Sequence, residues 1–130
     1  MTYTQPDAIA AITRAIQTEQ NYVFAAGLAG AFLRGAGRRR AVNQLAEHRA
    51  RLQANAVLVD PSDVPATPPG FTPESPITNP KTARSALAAL SNTLVGVYAD
   101  VASVTEGADR ATAIAWAQAS ARDAVRWGVA

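Results

Sequence analysis

Seven of the eight prolines in this chain fall between Pro61 and Pro80, and this cluster divides the sequence into two parts. Proline has no backbone N–H and a fixed φ, so the stretch forms neither the interior of a helix nor a central strand. Alanine-rich sequence without proline lies on both sides, at residues 7–60 and 81–130. Each part is long enough for two helices joined by a turn. The sequence therefore predicts an all-α fold of two helical hairpins joined by a proline-rich crossover at about residues 59–78.

The length of 130 residues predicts a single domain, 1–130, that buries roughly two-thirds of its unfolded surface in one core. Cysteine is absent, which excludes a thiol nucleophile, a thiolate metal site and a disulfide framework. The first seven residues contain no basic segment followed by an apolar core, so they do not resemble a secretory signal. These observations predict a cytoplasmic protein.

Hydropathy argues against a membrane partner, and the charge composition argues against nucleic acid. The longest apolar run, residues 22–33, is shorter than the roughly 20 residues that span a bilayer, so no membrane partner is expected. The net charge is only +2, and eleven of the twelve basic residues are arginine, a usage typical of high-GC genomes. This bias raises the pI to about 9.5 without indicating nucleic acid.

Local signals predict where four helices begin. Thr4 and Asp7 resemble a capping box for the first helix. Asn79 before Pro80 is a strong start signal for the third, and Asp109 is a plausible N-cap for the fourth. No useful length of sequence alternates with period two, so no sheet is expected. The helices are predicted at about 5–34, 38–58, 79–106 and 109–128.

Apolar residues spaced by three and four predict the inward face of each helix. Gly35 and Gly37 are expected to end the first helix, whose stripe contains Glu19 where an apolar residue is expected. The second stripe contains His48, the only histidine. The predicted stripes of the last three helices are Val42, Leu45, His48, Leu52, Ala56 and Val59; Leu87, Leu90, Leu94, Val97, Val101 and Val104; and Ile114, Ala117, Ala121 and Val125.

The crossover also bears on topology. About 20 residues at roughly 3.1 Å each exceed the roughly 30 Å length of a 20-residue helix. The link can therefore run the full length of the bundle, which is what the second-to-third-helix connection of a ferritin-like bundle requires.

Five short segments of the chain carry a family resemblance: Thr18–Tyr22, Ala46–Arg51, Ile77–Pro80, Val97–Ala99 and Ala124–Gly128. On these residues the chain resembles a ferritin-like domain family of unknown function that is common in high-GC bacteria. The resemblance implies a ferritin-like four-helix bundle, often found as a dimer. It brings no established activity.

The ligand set of a di-iron ferritin-like protein is not present in this sequence. Such a site needs one Glu from each of two helices and a Glu-x-x-His pair from each of the other two. The residue three before His48 is Leu45, and only Glu19 and His48 are inward residues of a ligand type. No cofactor and no catalytic residue are therefore expected, and Glu19 and His48 are weak metal candidates.

Four interpretations of Glu19 and His48 follow from their positions. They can face each other as a buried, charge-assisted hydrogen bond, the usual fate of inward polar groups. One or both can be partly exposed, because a one-residue shift of the stripes moves them to the flank. They can bind a metal with help from Gln20 or Tyr98, or they can act as a general acid and base.

The triplet Arg38–Arg40 is the one cluster of charge. Positive side chains near a helix N-terminus oppose the helix dipole, so the triplet does not stabilise the second helix. Contact with an anion or an acidic partner would explain it, and a solvated turn in an arginine-rich protein is the alternative. No aromatic residues interleave with these arginines, which weakens the case for nucleic acid.

Three functional hypotheses remain. The first is a non-enzymatic bundle that acts by association, as a homodimer through the small residues 25–31 of the first hairpin or with another protein. The second is a ferritin-like metalloprotein whose degenerate site is completed at an interface. The third is an RNA- or anion-binding bundle that uses Arg38–Arg40.

Overall fold

The protein is all-helical in a computed structural model that describes residues 2–128. Four α-helices and one short 3-10 helix account for its regular structure, and no strand occurs within that range, as the sequence predicts. The helices are α1 (Pro6–Phe32), α2 (Gly35–Ala56), α3 (Pro80–Val104) and α4 (Gly107–Gly128), with the 3-10 helix at Pro61–Asp63.

The predicted start of α3 is confirmed. Asn79 is the N-cap, and its side chain accepts a hydrogen bond of 2.9 Å from the backbone N–H of Thr82. The Thr82 hydroxyl in turn accepts from the backbone N–H of Asn79 at 3.0 Å. Two otherwise unpaired groups at the helix end are thereby satisfied reciprocally, with threonine in the place usually taken by Glu or Gln.

The other two predicted caps are wrong. The N-cap of α1 is Gln5, which makes no side-chain capping bond, so Thr4 and Asp7 form no capping box. α4 begins at Gly107, two residues before Asp109. The Asp109 carboxylate instead accepts a hydrogen bond from the hydroxyl of Tyr3, a residue that local sequence around α4 does not reveal.

The turn between α1 and α2 is shorter than predicted, and α2 begins at Gly35 instead of at about residue 38. Gly35 has a φ of 56°, a left-handed conformation that glycine adopts without steric cost. This conformation reverses the chain within two residues. Gly37 does not break a helix, because it lies inside the first turn of α2.

α1 packs against α2 and α3, and α3 packs against α4. The predicted stripe of α3 is largely confirmed: Leu87, Leu94, Val97 and Val101 are buried, and Leu90 and Val104 are half-buried. The predicted register of α4 is wrong, since Ile114 and Val125 are 46% and 66% exposed. The predicted stripe of the second helix is confirmed in part: Val42 is 58% exposed, but the other members are buried or half-buried, namely Leu45, His48, Leu52, Ala56 and Val59. The buried residues, most of them polar or aromatic, are Ala41, Gln44, His48 and Asn55 on α2, and Ala113, Ser120 and Trp127 on α4.

The crossover follows α1. The backbone N–H of Tyr3 donates to the carbonyl of Leu58 at 2.8 Å, and Gln20 Nε2 donates to the carbonyl of Pro65 at 3.2 Å. The link therefore passes from the beginning of α1 to its middle within seven residues. Ile77, just before α3, is buried again and anchors the far end of the crossover.

α3 is the helix, among the described residues, that is long and apolar enough to cross a membrane by length and composition. Core helices of soluble bundles meet the same criteria. In this structure α3 packs against α1 and α4 and contributes buried side chains to the core.

Candidate functional site

Glu19 on α1 and His48 on α2 meet in the middle of the bundle. His48 Nδ1 lies 2.6 Å from Glu19 Oε1, and the two side chains are 1% and 0% exposed. The prediction of a buried hydrogen-bonded pair is therefore confirmed, and the alternative of a partly exposed pair is wrong. The close packing of α1 on α2 places the two residues opposite each other.

The second carboxylate oxygen of Glu19 is also engaged. Tyr98 on α3 donates its hydroxyl proton to Glu19 Oε2 at 2.5 Å. Asn55 on α2 donates from Nδ2 to the Tyr98 oxygen at 3.1 Å and to the backbone carbonyl of Arg51 at 3.0 Å. Donors from two other helices therefore fix the carboxylate from both sides, as buried polar groups require.

A second branch of hydrogen bonds reaches α4. The ring of Tyr22 stacks on that of His48, with centroids 3.7 Å apart. The hydroxyl of Tyr22 and the indole N–H of Trp127 both donate to Gln44 Oε1, the latter at 2.7 Å. All four helices therefore contribute. We call the set the polar cluster: Glu19, Tyr22, Gln44, His48, Asn55, Tyr98 and Trp127.

Burial keeps the two phenols of the cluster neutral. Removal from solvent is the main cause that raises the pKa of Tyr98, and the neighbouring Glu19 raises it further. Burial likewise raises the pKa of Tyr22. At neutral pH both tyrosines therefore act as hydrogen-bond donors and not as bases.

Three buried polar atoms have no hydrogen-bond partner among residues 2–128: His48 Nε2, Arg51 Nη1 and Ser120 Oγ. All three lie on α2 or α4. The Arg51 guanidinium packs 5.5 Å from the centroid of the Trp116 ring. With Nδ1 held by Glu19, Nε2 is the nitrogen through which His48 could bind a proton or a ligand.

The metal candidates remain a pair. Within residues 2–128, no three or more His, Asp or Glu side chains are grouped so that they could hold a metal ion. Of the two suggested helpers, Tyr98 does contact Glu19, but Gln20 donates to the crossover instead. Glu19 and His48 thus meet with aromatic and amide neighbours in place of further carboxylates.

The three arginines of the triplet differ in their exposure. Arg38 and Arg39 are exposed, whereas Arg40 is half-buried and lies 5.2 Å from the centroid of the Trp127 ring. Arg39 and Arg40 also line a shallow cavity that contains the Asp123 carboxylate. Arg40 therefore has a packing role, and a contact with an anion or partner through the triplet stays a prediction.

Sequence analysis missed most of the cluster. Gln44, His48 and Asn55 are spaced by four and seven, so they share one face of α2. A search for polar residues at helical spacing around the single histidine would have found that face. Ser120 and Trp127 on α4 have the same spacing of seven.

Comparison with known proteins adds a family and a fold. A family model described as a domain of unknown function (DUF4439) matches residues 11–130. A crystal structure of a conserved hypothetical protein, rv2844, from Mycobacterium tuberculosis is similar, with a TM-score of 0.85 and 22% sequence identity. The alignment covers 95% of this chain and 97% of that one. A search of curated proteins finds no match.

Proposed function

The chain belongs to the family described as a domain of unknown function (DUF4439), and we propose that it is a ferritin-like bundle that acts without catalysis, by homodimerisation. The observation that carries this proposal is a patch of exposed apolar side chains on α1 and α2. Apolar side chains that share one exposed face favour contact with another protein surface.

The ferritin-like topology is supported by the order of the contacts along the helices. Between α1 and α2, and between α1 and α3, the residue numbers of contacting pairs run in opposite directions. Antiparallel neighbours and a lengthwise crossover are the arrangement of a ferritin-like bundle. The pairs are Glu19–His48 and Tyr22–Gln44, and Glu19–Tyr98 and Tyr22–Ser91.

The patch consists of Phe24 and Leu28 on α1 and Val42 on α2, which are 42%, 37% and 58% exposed. A methyl group added to Gly27 would lie 3.5 Å from Leu45 Cδ1, so residues 27–28 lie beside residues 42–45. Phe24 lies one helical turn before Leu28, and a methyl group on Gly70 of the crossover would lie 3.5 Å from the Phe24 ring, so the patch borders the crossover. We call it the association patch.

The pattern of large and small residues on α1 supports a second copy of the chain as the partner. Along the exposed face of α1, Phe24 and Leu28 alternate with the small residues Gly27 and Ala31, which are also exposed. Across a two-fold axis, the large side chains of one copy can lie on the small residues of the other. Such an isologous contact is the commonest form of homodimer.

Sedimentation equilibrium tests the proposal. We expect the native chain to sediment as a dimer and Leu28→Glu, which places a charge in the patch, to sediment as a monomer. Ile114→Glu is the matched control, because Ile114 is 46% exposed on α4 and lies outside the patch. A monomeric native chain, or equal dissociation by both variants, would contradict the proposal.

One observation favours a metalloprotein as the second candidate. His48 Nε2 is buried and has no protein partner among the described residues, and an imidazole nitrogen of this kind is a common metal ligand. Native mass spectrometry of the protein as isolated tests this. If the native protein carries a stoichiometric metal and the Glu19→Ala, His48→Ala double variant does not, the metalloprotein replaces the homodimer as the proposed function.

A further inference from the structure

A cavity of about 270 Å³ lies between the C-terminal end of α2 and the N-terminal end of α4. Its walls are mainly apolar and include Leu58, Val101 and the ring of Trp116. The polar residues in its lining are Asn55, Tyr98, Asp109 and Thr112. The volume is slightly below the roughly 300–1,000 Å³ of sites for drug-sized ligands, so a ligand here would be small.

Asn55, Tyr98 and Asp109 offer acceptors to the cavity, whereas the Thr112 hydroxyl can donate or accept. Asn55 uses Nδ2 for bonds to the Arg51 carbonyl and the Tyr98 oxygen, so the atom it has left is the acceptor Oδ1. The Tyr98 proton is already given to Glu19. Asp109 Oδ2 accepts from the Tyr3 hydroxyl at 2.7 Å, which leaves Oδ1 for a further donor. A ligand that satisfies these groups must bring its own donors.

We propose that this cavity binds a small organic cation, in which a primary ammonium group meets Asp109 and Asn55 and a short apolar body lies against Trp116. An ammonium group supplies three N–H donors and no acceptor, which matches the two free oxygens. Its charge pairs with the Asp109 carboxylate, and the walls exclude water from the apolar body.

The Arg51 guanidinium lies near the cavity, because it packs on the Trp116 ring. Its positive charge would favour an anionic ligand instead. The nearby Glu19 carboxylate opposes it from behind Tyr98. At the Tyr98 hydroxyl, the charge of Glu19 raises the pKa more than the charge of Arg51 lowers it. Two carboxylates, Asp109 in the lining and Glu19 behind Tyr98, therefore balance the Arg51 guanidinium, whose Nη1 has no partner among residues 2–128. The charge of the ligand is the variable that an experiment should change.

Benzylammonium, benzyl alcohol and benzoate form a matched series of positive, neutral and negative probes of similar size. Trp116 lines the cavity, whereas Trp127 is bonded to Gln44 elsewhere in the bundle, so the two indole N–H signals in a ¹H–¹⁵N NMR spectrum provide a reporter and an internal control. At pH 7 we expect benzylammonium to shift the Trp116 signal with a dissociation constant on the order of a millimolar. Benzyl alcohol should bind more weakly, and benzoate should leave the signal unchanged.

Asp109→Asn removes the charge and keeps an oxygen that can accept from Tyr3. We expect it to weaken benzylammonium binding about tenfold and to leave benzyl alcohol binding unchanged. Glu106→Gln is the control, because Glu106 is a neighbouring carboxylate outside the cavity lining. Its loss should change the binding of neither benzylammonium nor benzyl alcohol. The proposal is overturned if benzoate binds as tightly as benzylammonium, if no probe shifts Trp116, if Trp127 shifts equally, or if Asp109→Asn has no effect. The probe series on the native chain decides the matter even if that variant does not fold.

Discussion

His48 Nδ1 lies 2.6 Å from Glu19 Oε1 in the centre of the bundle, and solvent reaches neither side chain. Removing one partner of such a pair leaves the other buried without its hydrogen bond, which is costly. The pair therefore links α1 to α2 as a unit whose two halves depend on each other.

A double-mutant cycle measures this dependence. We expect Glu19→Ala and His48→Ala each to lower the free energy of unfolding by about 3 kcal/mol, since each leaves a buried group unpaired. The double variant should be less destabilised than the sum, with a coupling energy of about 1–3 kcal/mol. Urea denaturation at pH 7 gives all four values. Strictly additive effects would show that the two side chains are stabilised by their other neighbours.

The two buried tyrosines predict a loss of stability in alkali. Burial raises the folded-state pKa values of Tyr22 and Tyr98 above the ordinary value of 10.0. The folded protein therefore keeps protons that the unfolded chain releases above pH 10. The stabilisation is complete below pH 10 and is lost as the pH rises towards the folded-state pKa values, at about 1.4 kcal/mol per pH unit for each tyrosine.

Urea denaturation between pH 8 and pH 11 tests this expectation. Tyr22→Phe should reduce the alkaline slope by roughly a third to a half, because one of the three tyrosines with a raised pKa is gone. Tyr3→Phe is the comparison: burial and the hydrogen bond to Asp109 also raise the pKa of Tyr3, but Tyr3 is only half-buried, so this variant should reduce the slope less than Tyr22→Phe does. An unchanged slope in Tyr22→Phe would show that the titration of Tyr22 does not cause the loss of stability in alkali.

The helices could be predicted where the information is local. The start of α3 depends on Asn79, Pro80 and Thr82, which are adjacent in sequence, and its core residues repeat at helical spacing. The crossover could be predicted equally well, because proline restricts φ and removes the N–H donor at its own position. The proline-free stretches on either side then left little alternative to helix.

The inner face of α2 could be predicted only in part by the same means. Gln44, His48 and Asn55 are buried because Trp127, Glu19 and Tyr98 on other helices supply their hydrogen-bond partners. A count of apolar residues does not include those partners. The predicted stripe included His48, but it also selected Val42, which lies two positions before Gln44 and which the structure leaves exposed. The polar cluster is thus a product of the tertiary fold.

The capping box of α3 is predicted to contribute measurably to stability. Asn79→Ala removes the acceptor for the Thr82 N–H and should lower the free energy of unfolding by about 1 kcal/mol. Asn92→Ala is the matched control, because Asn92 is exposed in the middle of the same helix, where alanine is the better helix former. Thermal unfolding should therefore show opposite shifts for the two variants, and equal shifts would contradict a capping role.

The two glycines at the start of α2 are predicted to respond oppositely to alanine. Gly35 has a φ of 56°, where a side chain is strained, so Gly35→Ala should lower the free energy of unfolding by about 1–2 kcal/mol. Gly37 lies in helical backbone, and a methyl group there would meet Leu33 at 3.7 Å, an ordinary contact distance. Gly37→Ala should therefore raise stability by about 0.5 kcal/mol, because alanine loses less backbone entropy on folding. Chemical denaturation of the two variants checks both signs, and a destabilised Gly37→Ala would mean that the turn, and not the helix, sets the requirement for glycine at this position.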